Sequence, residues 1–498
     1  MSAIITEKFR QHNANQFFES FTETAGNTYY LFLGKATPFT SGTTTGSDSS
    51  PPTPQDGEQD ETRAWDAMLA AKKIASTDIT YAIPRRNWVN GTTYDMYEHN
   101  ISSANTSTSG ASNIYDSTFY FVTSDYRVYK VLDNGGGTAY DGAEPTSTST
   151  SPFELGGYVL KYMYDISTTD IGKYVTTDFI PVATDSTVST AALDGAIESL
   201  TITAGSGYTD GTYYAAVYGD GTSQGTSSGA IIRITVSSGA IAQFGLTAGT
   251  DTTVHAAGAA YTFGFVNLAA GYTFSDAGLT SASNIGGSGG VINIVISPED
   301  GHGNNAVTEL GGHYIMTAST ITQAENDDFS TANDFRQVGI VVDPTTYGTT
   351  TVASSTTARQ TNVVRFASYS GTFEADEVIT QATTGASGKV VEWDSVLQLL
   401  YYQQENFKGY GTNATTGGLV AFSGTNTITG GTSGATGVPS SESSETVTLA
   451  NSNTLTLTSG YANPELQPDS GDIIYLENRK PIQRASDQTE DIKIIIEF

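Results

Sequence analysis

SGDIIYLENRKPIQRASDQTEDIKIIIEF, residues 470–498, is the stretch whose reading decides the fold. Ile473, Ile474, Tyr475 and Leu476 make a short apolar run, which Asn478 and Pro481 break. From Asp491 the side chains alternate. Ile492, Ile494, Ile496 and Phe498 fall on one face, and Lys493, Ile495 and Glu497 on the other. Period two with one apolar face specifies a half-buried β-strand. The segment therefore reads as two strands around a turn, the second tied into a sheet to its last residue.

The remaining composition agrees. Twenty-eight Tyr and 21 Phe stand in a chain with only 15% charged residues, and Gly, Thr and Ser fill most gaps between apolar runs. That is the composition of a β-dominated protein with many turns. A length of 498 residues allows about three domains. The net charge of −30, with 22 Lys+Arg against 52 Asp+Glu, repels nucleic-acid phosphates and anionic membrane surfaces. Cysteine is absent, so neither a disulfide framework nor a thiolate metal site is available. No apolar run approaches transmembrane length and no secretory apolar region follows Met1, so folding in the producing cell's cytoplasm is expected. Asn90, Asn100 and Asn105 match the glycosylation pattern but read as ordinary loop sequence.

Two helices are predicted. Residues 5–21 carry Ile5, Phe9, Phe17 and Phe21 on one stripe, with Gly26 at the stop. Residues 61–74 follow Pro51-Pro52-Thr53-Pro54, with Asp60 as cap and Trp65, Met68, Leu69 and Lys72 on one face. Residues 118–132 read as a strand pair or one long strand, 134–152 as a low-complexity loop, and 157–166 as a strand. Composition then shifts. Residues 199–298 contain almost no Lys or Arg and hold an internal echo: Ser228 to Val236 against Ser288 to Ile296, and Gly207-Tyr208-Thr209 against Gly271-Tyr272-Thr273. A weaker echo joins Ile379 to Gly388 with Ile428 to Gly437, where small-residue turns between apolar strands fit β-hairpins.

Four phrases, in order, carry a resemblance. They are Thr6 to Phe21 followed by Tyr29-Tyr30-Leu31-Phe32-Leu33-Gly34; Ala82-Ile83-Pro84-Arg85-Arg86-Asn87-Trp88; Phe335-Arg336-Gln337 with Ile340 and Asp343-Pro344; and the C-terminal stretch with Glu477-Asn478-Arg479, Pro481-Ile482 and Asp487 to Glu490. Together they resemble the baseplate wedge subunit of T-even-type contractile-tailed phages, the gene-eight product family, with Asn87 in place of that family's Asp. The resemblance implies a β-sandwich-like core with a few helices, broken by inserted small β domains. On that reading residues 1–198, 299–370 and 466–498 form the core, and 199–298 and 371–465 are insertions. It also implies a structural, non-enzymatic homodimer that joins other wedge proteins in the virion's tail baseplate and transmits rearrangement on contraction.

No cofactor, metal or catalytic residue is expected. Asp300, His302 and His313 match no zinc spacing, and the glycines flanking His302 indicate a polar turn. Glu325-Asn326-Asp327-Asp328 and Glu374-Ala375-Asp376-Glu377 read as solvated loop faces rather than as a carboxylate pair across a cleft. Tyr218-Gly219-Asp220-Gly221-Thr222 lacks a calcium loop's spacing. Arg85, Arg86, Trp88 and Arg479 stand out because cations are scarce and Arg and Trp anchor interfaces. Intramolecular pairing with some of the 52 acids is the equal alternative for the arginines. The competing function is a receptor- or glycan-binding tail protein, suggested by small Thr/Gly-rich β inserts and many tyrosines; a polysaccharide depolymerase ranks below it.

Overall fold

The computed structural model describes residues 6–23, 26–39, 46–222, 229–247, 249–275, 278–406, 410–412, 418–450 and 452–498. Ile5 and Ser228 lie outside them. The protein is β-dominated, with antiparallel strand pairs and a few short helices. It divides into two compact units, one comprising Met1–Gln16, Thr80–Met316 and Ile495–Phe498, the other Phe17–Ile79 and Thr317–Ile494.

The second unit is organised around a five-stranded sheet. Its order is Thr357–Arg359, Met68–Lys73, Tyr29–Gly34, Phe335–Val342 and Asp472–Ile482. Tyr29–Gly34 and Phe335–Val342 are buried at every position, as strands covered on both faces must be. Gly339 fits because Phe32 crosses it: a Cβ there would stand 2.3 Å from the Phe32 ring and 2.7 Å from the Tyr475 carbonyl. Residues 362–462 of the same unit build a seven-stranded sheet, whose first strand Asn362–Ser370 pairs with Tyr461–Ala462. The weaker echo is realised there as two hairpins, Val378–Gln381 with Ala386–Asp394 and Ile428–Gly430 with Thr436–Pro439. The first strands of the two hairpins pair with each other.

The first unit holds an aromatic core on the sheet Tyr120–Val122, Arg127–Asp133, Tyr158–Asp165 and Phe153–Leu155. Residues 118–132 are thus a hairpin, and 157–166 is a strand beside it. The strand Ile197–Thr203 pairs with Val291–Ile296. Ile231–Ser237 instead pairs with Gly211–Gly219, Ala240–Ile241 and Thr253–Ala256. The echoed strands therefore sit in different sheets, yet Ile232, Ile234, Ile292 and Ile294 share one apolar cluster.

Two helix expectations are changed. The first helix runs Glu7–Thr22. Phe21 stacks on Tyr29 with ring centroids 3.8 Å apart and Phe17 meets both edge-on, but Phe9 faces solvent. The second, Glu58–Ala67, is shorter than 61–74: Met68–Lys73 is a strand with Met68 to Ala71 buried. Residues 68–73 have good helix formers, but hydrogen bonding to two neighbouring strands outweighs that preference. Asp60 lies inside this helix, not at its cap, and accepts from the Gln55 amide at 3.1 Å.

The C-terminal stretch is two strands, Asp472–Ile482 and Thr489–Glu497, but not a hairpin. The first pairs with Phe335–Val342. The second runs beside Tyr314–Thr322: Thr320 donates to Asp491 in the second unit, and the Phe498 amide to the His313 carbonyl in the first. Ile492 and Ile494 are buried as the alternation requires, while Ile496 is half-buried. The inward face extends to Glu490, which is tolerated because Arg484 donates to it at 2.9 Å.

Gly339→Ala should lower the melting temperature of the second unit, at a cost of about 1–3 kcal/mol from overpacking. Adding Phe32→Leu should recover part of that loss, because the ring is the nearer obstacle. Thermal denaturation of the single and double variants measures both.

Candidate functional site

Of the four singled-out interface residues, three sit at the start of one loop. Arg85 follows the strand Ile79–Pro84, and its guanidinium donates to the Thr176 carbonyl at 2.9 Å and to the Asn87 side chain at 2.8 Å. Arg86 donates to the Tyr115 carbonyl at 2.8 Å and lies 4.4 Å above the centre of the Tyr120 ring. Trp88 meets Tyr140 edge-on at 5.8 Å, and its amide donates to Val122. Arg479 lies apart, on the outermost strand of the five-stranded sheet. It is half exposed, and its Nε stands 3.4 Å from Glu477. Arg85 and Arg86 thus fix local loops, and Arg479 presents the most open cation of the set.

Residues 302–303 form a turn, as read, but a buried one: His302 is 1% exposed. Lys130, entirely buried on the strand Arg127–Asp133, donates to His302 Nδ1 at 2.9 Å and to Glu309 at 2.8 Å, and stands 3.9 Å above the centre of the Tyr97 ring. Glu309 also accepts from the Gly303 amide at 2.7 Å. Burial opposes a charged Glu309, but Lys130 overcomes it and holds the carboxyl at about 2. Burial, reinforced by Lys130, brings His302 down to about 3, so the ring is neutral and accepts through Nδ1. Lys161, also buried, lies directly across from Lys130 and donates to the Thr150 carbonyl at 2.7 Å. These contacts clamp the 302–309 turn to the sheet, and the cluster is sealed from any substrate. Its signal in the sequence is a lysine in the middle of each of two apolar strands, Val128 to Leu132 and Val159 to Met163, where an unpaired cation would be prohibitive.

The acidic loops also act within the fold. Glu377 accepts from the Thr432 and Ser433 amides at 3.0 and 2.9 Å, capping the turn of the neighbouring hairpin. Glu325 pairs with Lys72, and Asp328 accepts from Thr357. Asp220 accepts from the Thr262 hydroxyl and from the Thr262 and Phe263 amides, which keep its carboxyl at about 2. Among the described residues no three His, Asp or Glu side chains gather as a metal would require, and no helix is long and apolar enough to cross a membrane.

The family model described as Bacteriophage T4, Gp8 matches residues 3–143 and 443–498. Over those residues, fewer than half of the chain, the protein is similar to the Gp8 family. It is a structural component of a phage tail baseplate, a virion protein that works among other baseplate proteins. No curated protein matches the chain. The phrase Phe335-Arg336-Gln337 falls outside the matched residues, yet its strand lies between Tyr29–Gly34 and Asp472–Ile482, which are inside them.

His302→Gln tests the clamp. In the native protein His302 stays neutral to about 3, whereas an unfolded His binds its proton near 6.5. Below 6.5 the unfolded state therefore holds the extra proton, and native stability falls with pH. Asp133, pushed up to about 7 by burial, works in the opposite direction but is common to both proteins. The variant should be less stable at pH 7, and its deficit should shrink by about 1.4 kcal/mol per pH unit below about 6.5. Chemical denaturation across pH 7 to 4 measures the gap. Glu309→Ala, which leaves Lys130 buried without its anion, should cost about 3–5 kcal/mol at neutral pH.

Proposed function

We propose that this protein is a baseplate wedge subunit that pairs with itself and links neighbouring wedge proteins between the tail-fibre periphery and the inner ring. Its role is mechanical and non-enzymatic: interfaces hold one baseplate state and shift as rigid bodies on contraction. Assembly takes place in the host cytoplasm, without nucleic acid or membrane insertion. The observation that carries this reading is the family match at both ends of the chain, whose strands flank Phe335–Val342 in one sheet.

The reading of 199–298 as an insertion is supported by the pairing of Ile197–Thr203 with Val291–Ile296, which brings the segment's two ends together. The pairing of Asn362–Ser370 with Tyr461–Ala462 supports the same for the second insertion. The family match from 443 supports giving Glu445–Thr448 and Thr454–Leu457 to the common part. We assign Arg479 and the outer edge of Arg85 to partner contacts, and Arg86 and Trp88 to holding the loop that presents Arg85.

Sedimentation equilibrium at moderate salt should give about twice the chain mass, and a monomer at every accessible concentration would count against self-pairing. Arg479→Ala should melt like wild type, and adding Arg85→Ala should lower melting only slightly through the lost bonds to Thr176 and Asn87, yet the double variant should fail to co-purify with wedge partners. Arg86→Ala should melt lower, because it removes the cation above Tyr120 and the donor to Tyr115. Normal assembly of the Arg85/Arg479 variant would refute the interface assignment.

A further inference from the structure

The segment between the two matched blocks carries a cleft that a structural wedge role does not use. It opens where the Gly264–Val266 strand runs beside Val291–Ile296, two strands that belong to different sheets. Its volume is about 640 Å³, within the range of small-ligand sites. Val266, Leu268, Ile285 and Ile292 line its apolar floor, continuous with the domain core. Phe265 forms one wall at 53% exposure and Val291 another at 47%.

The Phe265 ring is held in place. It stacks on Tyr218, directly across the strand pair, with centroids 5.6 Å apart and planes inclined by 24°. Phe263, Phe265 and Asn267 are all exposed, while the alternating Gly264, Val266 and Leu268 are less so. The strip therefore shows solvent two aromatic rings followed by an amide. Large apolar side chains are not left outward and rigid without cost, and such strips mark binding surfaces.

Polar groups complete the cleft. Asn267 offers its two amide donors, its oxygen already accepting from the Ala269 amide at 3.0 Å, and Ser283 offers one hydroxyl. Gly286 and Gly287 carry exposed backbone at the rim, and the Tyr208 side chain lies against Gly287 and Gly290. Gly287 and Gly290 cannot be larger, because a Cβ on either would stand 2.4 Å from Tyr208. Tyr208 itself is occupied, accepting from the Gly290 amide at 2.8 Å. Among the described residues, no Lys, Arg, His, Asp or Glu lines the cleft. Within a chain of net charge −30, an anion is repelled and finds no cation, and a cation finds no carboxylate there.

We propose that this cleft binds a neutral oligosaccharide, one pyranose stacking its C–H face on Phe265 while its hydroxyls reach Asn267, Ser283 and the glycine backbone. An aromatic platform with a few neutral hydrogen-bonding groups and no charge is the chemistry such a ligand needs, and an apolar peptide would leave the amide and hydroxyl unused. The site lies wholly between residues 208 and 292, outside the matched residues, so it stands independently of the wedge assignment.

The test uses the full chain and four neutral hexasaccharides: maltohexaose, cellohexaose, mannohexaose and chitohexaose. Saturation-transfer NMR should show contact with the ring C–H protons of at least one, more strongly than with its monosaccharide, which separates a glycan chain from a free sugar. Phe265→Ala and Asn267→Ala should each weaken that affinity about tenfold or more by calorimetry. Both residues are exposed, so both variants should keep the wild-type melting temperature. Phe265→Trp should retain binding. Absence of transfer from all four sugars at about 10 mM, or affinity unchanged in Phe265→Ala, overturns the proposal. So does saturable binding of an apolar peptide in place of the sugars.

Discussion

The strand Phe335–Val342 can be completed only by segments far from it in sequence, Tyr29–Gly34 on one edge and Asp472–Ile482 on the other. Every position of this strand is buried. Neither neighbour can be dispensed with, since each buried strand leaves its backbone groups to be satisfied by the next. The rest of the chain must fit between these pairings. Segments that depart from this sheet have to return to it, and the cheapest way is for each to close on itself. Ile197–Thr203 with Val291–Ile296, and Asn362–Ser370 with Tyr461–Ala462, are closures of that kind. Loop-closure entropy rises only slowly with length, so large additions are tolerated once their ends are paired.

Charge follows the same logic. The chain has few cations, and several are buried where loops must be fastened. Arg484 gathers the Phe329 and Ser330 carbonyls together with Glu490. Arg359 donates to the Asn463 carbonyl, and Arg233 to Asp251 and Thr253. Arg336 stands 3.1 Å from Asp48. A guanidinium with five fixed donors can satisfy several loop carbonyls that no strand reaches. Spending cations inside leaves the outside still more acidic. Contact with other baseplate proteins through this surface then depends on their basic groups, or on faces where charge has been thinned out.

This division explains what the sequence could disclose. Period-two patterns were legible where one face meets the core, as at Ile492 and Ile494, and so were the small-residue turns of the 379–388 and 428–437 hairpins. Partner choice was not legible. The two C-terminal strands look like a hairpin because a short polar stretch separates them, yet each finds a different neighbour. Met68–Lys73 looks helical because Met, Leu, Ala and Lys all favour helix, and only the presence of strands on both edges decides otherwise. The Lys130 clamp was hidden for a related reason. His302 and Glu309 are close in sequence, but the cation that gives them meaning is on a distant strand.

Among the singled-out arginines, the same competition separates fold from interface. A cation in a strongly acidic chain is drawn first to its own protein's acceptors, and Arg86 over Tyr120 shows the result. What remains for a partner is a cation whose own geometry is loose. Arg479, 3.4 Å from Glu477 and half exposed on an outer strand, meets that condition. An exposed ion pair of this kind adds little to stability, so giving it up to a partner costs the fold almost nothing. The aromatic strip at Phe263 and Phe265 is the apolar counterpart. Phe265 is braced by Tyr218 beside it on the neighbouring strand rather than folded into the core, so binding there needs no rearrangement of the domain beneath it.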